Sequence, residues 1–296
     1  SSDLNEEGGG EDLLVVQTQG VELTQLNFAD SNVNPGNGNL STRINDTRVQ
    51  ITNHFRLLDA AVENLRFEGG GRYAGFDLGM TSYKLSPLDA NNQIGSDAQE
   101  IFAGDANSDV IVAGGGQDLI FGNAGSDHLL GGEGNDLLVG GLEDDSLTGG
   151  AGADTFVLEV GSIDQITDFL TAEDSLAIVG TRLANQTSGA FINQVTMVNV
   201  MGPNGTALTG ADLIVLNVAD PNSVDTAVEV NALLGAQNGT FAGGALVLAY
   251  TDVGGANRVG LYYDSAVDGA GGTIDLLASF TNINNPVLVG LSAEAG

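Results

Sequence analysis

The sequence predicts an all-β chain whose middle is a parallel β-roll and whose flanks are further β-rich domains. Three observations carry this reading. Glu100, Asp109, Asp118, Asp127, Asp136, Asp145 and Asp154 stand nine residues apart, and each is followed two places later by an apolar side chain. Glycine recurs at fixed places in the same frame. The flanking segments hold short β-prone runs broken by turn chemistry, as in "NPGNGN" (34–39) and "DVGGAN" (252–257).

The whole chain sets the limits first. Its 296 residues are 42% hydrophobic, enough for a real core and for about two ordinary domains. Eight Lys+Arg stand against 39 Asp+Glu, a net charge of −31. Nucleic acid and anionic membrane would meet net repulsion, so cations are the natural complement. With no Cys, thiol nucleophiles, zinc ribbons and iron–sulfur sites are excluded, and disulfides do not hold the fold. No apolar run is long enough to span a membrane. The opening Ser1-Ser2-Asp3 has neither Met nor a signal-peptide pattern, so the expectation is a processed fragment or an export signal elsewhere.

The N-terminal part, 1–93, reads mainly as strands. Six of the eight basic residues fall between 43 and 84, and only Arg182 and Arg258 follow them. Strands are expected at 13–17 and 48–52, and a short helix over 57–65, where Leu58, Val62 and Leu65 recur at helical spacing.

The middle part, 94–158, is the repeat. Counting each carboxylate as the sixth of nine places, the eighth place is Phe102, Ile111, Ile120, Leu129, Leu138, Leu147 and Phe156. Glycine fills the first place at Gly95, Gly104, Gly122, Gly131, Gly140 and Gly149, and the fourth at Gly116, Gly125, Gly134 and Gly152. Glycine permits the positive φ of a tight turn. The last three places alternate along a short strand, so the eighth faces one side and its neighbours the other. One unit is thus half of a flattened coil, and two units complete it, with coils stacked about 4.8 Å apart. Units two apart share a side, which makes one row of Glu100, Asp118, Asp136 and Asp154 and another of Asp109, Asp127 and Asp145.

Like charges at that spacing repel by on the order of 3 kcal/mol per pair at an effective dielectric of about 20. A hard cation between successive turns removes the conflict. Carboxylate and turn carbonyl oxygens, about six to eight at about 2.3–2.6 Å, are what Ca²⁺ takes, whereas Mg²⁺ wants stricter octahedral geometry. Several Ca²⁺ ions are therefore expected on Asp109, Asp118, Asp127, Asp136, Asp145, Asp154 and Glu100.

These units resemble the G-G-x-G-x-D-x-U-x nonapeptide of RTX (repeats-in-toxin), haemolysin-type proteins over 95–157. The resemblance implies a right-handed β-helix in which the sixth-place Asp and the turn carbonyls hold Ca²⁺. Three units depart from the pattern: Glu100 replaces Asp, Asn107 takes a fourth place, and Glu143 takes another. "GGGEDLLV" (8–15) resembles a stray repeat, and 46–70 resembles the segment that closes RTX blocks. "GADTFVLEVGSIDQITDFLTAEDSLAI" (152–178) is similar to the run that ends a β-roll in secreted proteases and epimerases, where Asp164, Asp168 and Asp174 would cap the last turn. Residues 159–181 are accordingly read as a roll-capping segment.

The C-terminal part, 182–296, is expected to hold a helix near 226–234 and strands at 245–250, 259–263 and 273–280, the first two forming a hairpin. Its nearly cation-free tail is compatible with an uncleaved secretion signal of the kind the resemblance implies.

Rival chemistry finds little support. "DANSD" (105–109) opens like an EF-hand loop, but Val110 and Gly116 stand where that loop needs Gly and Glu. Lys84 is the single lysine, and no phosphate loop, His-Glu-x-x-His or Gly-x-Ser-x-Gly occurs. His54 and His128 read as structural or surface residues. The expectation is a non-catalytic secreted calcium-binding protein of surface-layer, filament or adhesin type. Its rival is the calcium-dependent export module of an enzyme or toxin whose active domain lies upstream. The outward places Val110, Val112, Leu119, Phe121, Leu130, Leu137 and Val139 are apolar, so flanking domains, self-association or other cell-surface components should cover them.

Overall fold

The computed structural model describes residues 64–73, 76–79, 81–85, 92–159, 161–170 and 173–179, together with the strands of the N- and C-terminal parts. Among the described residues every regular element is a strand. The N-terminal strands are β1 (Leu13–Gln17), β2 (Glu22–Leu23), β3 (Leu26–Asp30), β4 (Leu40–Ile44), β5 (Thr47–Ile51), β6 (Asn64–Glu68), β7 (Arg72–Tyr73), β8 (Phe76–Asp77) and β9 (Ser82–Leu85). The repeats form β10 (Asn92–Ile94), β11 (Glu100–Ala103), β12 (Val110–Gly115), β13 (Leu119–Ala124), β14 (His128–Glu133), β15 (Leu137–Leu142), β16 (Ser146–Ala151) and β17 (Thr155–Glu159). Beyond them lie β18 (Asp164–Ile166), β19 (Ser175–Val179), β20 (Met197–Met201), β21 (Leu213–Asn217), β22 (Ala245–Thr251), β23 (Arg258–Asp264) and β24 (Ile274–Phe280). The chain forms two compact units, residues 1–142 with 149–157, and residues 143–148 with 158–296.

In the first unit the repeats wind as a parallel β-solenoid. β11, β13, β15 and β17 stack in one sheet, and β10, β12 and β14 in another. Consecutive strands alternate between the sheets, so Leu119 pairs with Leu137 and Val110 with His128. The eighth places Phe102, Ile111, Ile120, Leu129, Leu138 and Phe156 are fully enclosed, as the period of two along each strand requires.

The N-terminal strands continue the first of these sheets. β9 pairs parallel to β11, β6 antiparallel to β9, and β1 parallel to β6. They occupy the edge that β11 would otherwise leave open to another strand. Phe67 and Tyr83 meet edge to face across β6 and β9, ring centroids 6.0 Å apart, and the Tyr83 hydroxyl donates to Leu78 O at 3.0 Å. Burial pushes the Tyr83 phenol well above its ordinary range. The helix expected over 57–65 lies outside the described residues except for its last two. There Asn64 and Leu65 open a strand, because Leu65 and Phe67 are buried while Arg66 and Glu68 are not. A period of two across 64–68 overrides the helical spacing of Leu58, Val62 and Leu65.

The outward apolar places divide by sheet. On β13 and β15, Leu119, Phe121, Leu137 and Val139 are all buried. β3, from the antiparallel sheet β3-β4-β5, lies against β11 and β13. On β12 and β14, Val110 remains 38% exposed, Val112 and Leu130 are half-buried, and His128 is exposed.

In the second unit β16 pairs parallel to β18, and β18 parallel to β24, which closes the edge of β18. β22 and β23 form the expected antiparallel hairpin, and β23 pairs antiparallel to β24. β21 and β20 extend the sheet in parallel. Phe169 and Phe280 pack edge to face with centroids 5.6 Å apart, and Leu261, Tyr262 and Leu277 are buried nearby in sequence to those strands. The helix expected near 226–234, the turn 252–257 and His54 lie outside the described residues.

Candidate metal centre

The turns are built so that successive coils stack in direct contact. Gly134 has φ +129°, and a Cβ there would fall on the carbonyl oxygen of Gly116 in the coil before. Only glycine meets both conditions without strain. The same stacking aims turn carbonyls along the solenoid, from one coil towards the next. Among the fourth places, Glu143 still takes a positive φ of 76°, so the turn geometry survives that departure.

The sixth places lie inside this frame. Asp109, Asp118, Asp127, Asp136, Asp145 and Asp154 are all buried, each at most 3% exposed. In the first unit the expected rows are present as hydrogen-bonded ladders. Glu100 N–H donates to Asp118 Oδ1 at 2.7 Å, Asp118 N–H to Asp136 Oδ1 at 2.8 Å, and Asp136 N–H to Asp154 Oδ1 at 2.9 Å. On the other side Asp109 N–H donates to Asp127 Oδ1 at 2.8 Å. One oxygen of each carboxylate therefore caps the backbone of the preceding coil.

The second oxygen poses the chemical question. Oδ2 of Asp118 and of Asp136 is buried and accepts no hydrogen bond. A Cβ on Gly131 would collide with both Asp136 Oδ2 and Gly149 O, so a carboxylate oxygen and a turn carbonyl converge on the space that glycine leaves. Burial pushes the Asp118 carboxyl up to about 8, with Asp136 and Glu100 adding to the rise against the hydrogen bond from Glu100 N–H. Burial likewise pushes Asp136 up to about 6, and Asp109 upward. A buried anion without a donor is costly, and a bound cation is the standard remedy.

The donor set fits a hard cation with oxygen ligands. Among the described residues no three His, Cys, Asp or Glu side chains gather as a metal cluster. A site here would combine carboxylate oxygens from the rows with turn carbonyls, which suits Ca²⁺. A family model of the RTX calcium-binding nonapeptide repeat matches residues 94–129, 103–138 and 130–162. Residues 94–162 are RTX calcium-binding repeats. No curated protein matches the chain.

The RTX block implies calcium binding, and the aspartate ladders agree with it. Two members of the block stand apart. Asp109 Oδ2 accepts the N–H of Asp105 at 2.8 Å. Glu100 takes the Ser96 N–H at 2.6 Å on Oε2 and the Lys84 ammonium at 3.2 Å on Oε1.

One residue of the same type lies just outside the matched repeats. In the second unit Asp145 N–H donates to Asp164 Oδ1 at 3.2 Å, the ladder bond continued. Asp164 is 1% exposed, and its Oδ2 accepts no hydrogen bond. Burial, then the charge of Asp145, pushes its carboxyl up to about 8. Asp164, expected from the resemblance only as a cap of the last turn, stands at a row position 19 residues after Asp145, where the strict count of 18 passes over it. The signal that survives the slip is local: Ile166, two places after Asp164, is fully buried. Asp174 is also buried and accepts the Leu170 N–H at 2.7 Å, the turn-capping role expected of it.

Proposed function

We propose that the chain is a non-catalytic structural protein, secreted and held outside the cell as a surface-layer, filament or adhesin component. Its roll folds on binding several Ca²⁺ ions. The observation that supports this reading is the pair of buried, donor-less oxygens on Asp118 and Asp136, in rows that repel when no cation sits between them. Where calcium is scarce the rows keep the roll open. At the millimolar calcium found outside cells, binding energy becomes folding energy. That sequence suits passage of an unfolded chain through a secretion channel, as the family resemblance implies. The half-open outer face of β12 and β14, with Val110 and Leu130, supports self-association or attachment to other surface components.

Circular dichroism with and without a chelator tests the calcium step. Strand signal should appear on adding Ca²⁺, and an unchanged spectrum with no metal retained overturns it. Particle size in calcium tests the assembly step, since a chain that stays monomeric is no filament component. A catalytic domain upstream in the native polypeptide would make this chain an export and folding module instead.

A further inference from the structure

We propose that the first rung of the Glu100 row is a built-in, metal-independent cap in which Lys84 supplies the charge that calcium supplies further along. The inference rests on the calcium reading of the later rungs. In the β9–β11 pairing Lys84 stands directly opposite Glu100, at the row position that the next aspartate would occupy. The row therefore runs Lys84, Glu100, Asp118, Asp136, Asp154, with an ammonium as its first member.

The hydrogen bonding changes character at this rung. Lys84 N–H donates to Gln99 O at 2.8 Å and leaves the Glu100 carboxylate out of the ladder bond. Glu100 instead accepts the Ser96 N–H at 2.6 Å, the Ser96 hydroxyl at 3.2 Å and the Lys84 ammonium at 3.2 Å. Both of its oxygens are thus satisfied by protein donors, although the side chain is only 4% exposed. At Asp118 and Asp136 one oxygen has no donor. The longer glutamate reaches the lysine, whose ammonium keeps contact with water, its side chain 57% exposed. Lys84 is the one lysine in a chain of net charge −31, and it sits against the row's end. Glu100 is on this reading a positioning residue rather than a calcium ligand. The coil it closes offers a preformed edge for the calcium-bound coils to stack on.

Calorimetric Ca²⁺ titration of the full chain, with the folding midpoint read by circular dichroism, tests this. Glu100→Gln should bind as many ions as the parent, with a midpoint within about twofold, while Asp136→Asn should bind fewer. Loss of an ion in Glu100→Gln overturns the proposal. Lys84→Gln leaves a buried, unpaired carboxylate and should raise the calcium midpoint about twofold, an effect that adding Glu100→Gln reverses. An unchanged midpoint in Lys84→Gln overturns the cap. If Lys84→Gln does not fold in calcium, the double variant decides, recovery supporting the cap and continued failure overturning it. A parent chain that neither binds Ca²⁺ nor folds with it refutes the calcium reading itself, a result distinct from any variant-specific one.

Discussion

The first coil of the roll and its central coils use the same residue class at the same register in opposite ways. At Glu100 the carboxylate is buried and fully provided with donors by Ser96 and Lys84. At Asp118 and Asp136 it is buried and half provided, one oxygen capping a backbone N–H and the other accepting nothing. The pattern of sixth-place acids alone does not distinguish the two. What separates them is the neighbour across the stack: a lysine at the end of the row, another aspartate within it. A repeat can thus carry one motif and two kinds of rung, one complete as folded and one completed by metal.

Substitution at the two rungs should separate them most widely. Asp136→Ala removes a carboxylate with row neighbours on both sides and should weaken calcium-induced folding about a hundredfold. Glu100→Ala should shift it by no more than about twofold, because its charge is balanced within the protein. Calcium titrations followed by circular dichroism measure both. Equal losses at the two positions would remove the distinction.

How much of this was legible beforehand depends on whether the signal was periodic. The six aspartates, the inward residues from Phe102 to Phe156 and the two rows all follow from a strict nine-residue count, and the structure buries the aspartates and shows the rows of the first unit as that count requires. Lys84 and Asp164 occupy row positions too, but at steps of 16 and 19 residues, so a fixed period passes over them. Leu119 and Phe121 are buried on β13, against which β3 lies from almost a hundred residues earlier, and no local pattern reports such an approach. Of the helix expected over 57–65 only Asn64 and Leu65 are described, and both lie in a strand for a related reason. Three apolar residues at helical spacing are few, and the alternation through Leu65 and Phe67 continues into a sheet already begun by β9 and β11.

The turns should show the next largest contrast. Gly134→Ala puts a methyl group on Gly116 O at a positive φ, and should destabilise the calcium-bound roll by about 2 kcal/mol or more. The corresponding fourth place in an early coil is Asn107, an exposed residue whose N–H donates to Asp105 Oδ1. Asn107→Ala should cost about 0.5 kcal/mol or less. Denaturant unfolding in saturating calcium gives both values. A Gly134→Ala variant as stable as the parent would mean that the coils are not held at this spacing.

Protons should distinguish the rungs more gently than substitutions. Asp118 at about 8 and Asp136 at about 6 both lie above the ordinary carboxyl value of 3.8, so the metal-free folded coil binds protons that the unfolded chain releases. Their contribution to stability is therefore full below about pH 4 and is lost as pH rises through about 6 and then about 8. Without calcium, acidification from pH 8 towards 5 should recover part of the strand signal, since protonation removes the cost of burying these charges and, at Asp118, the repulsion from Asp136 and Glu100. With calcium the trend reverses, because metal and proton compete for one oxygen and affinity should rise across the same window. Asp136→Asn makes the test specific to a central rung. It should raise the metal-free strand signal at pH 8 while lowering calcium affinity, two opposite changes from one neutralised charge. A fall in both would mean that Asp136 serves the fold without calcium, as Glu100 does, and the contrast between the rungs would fail.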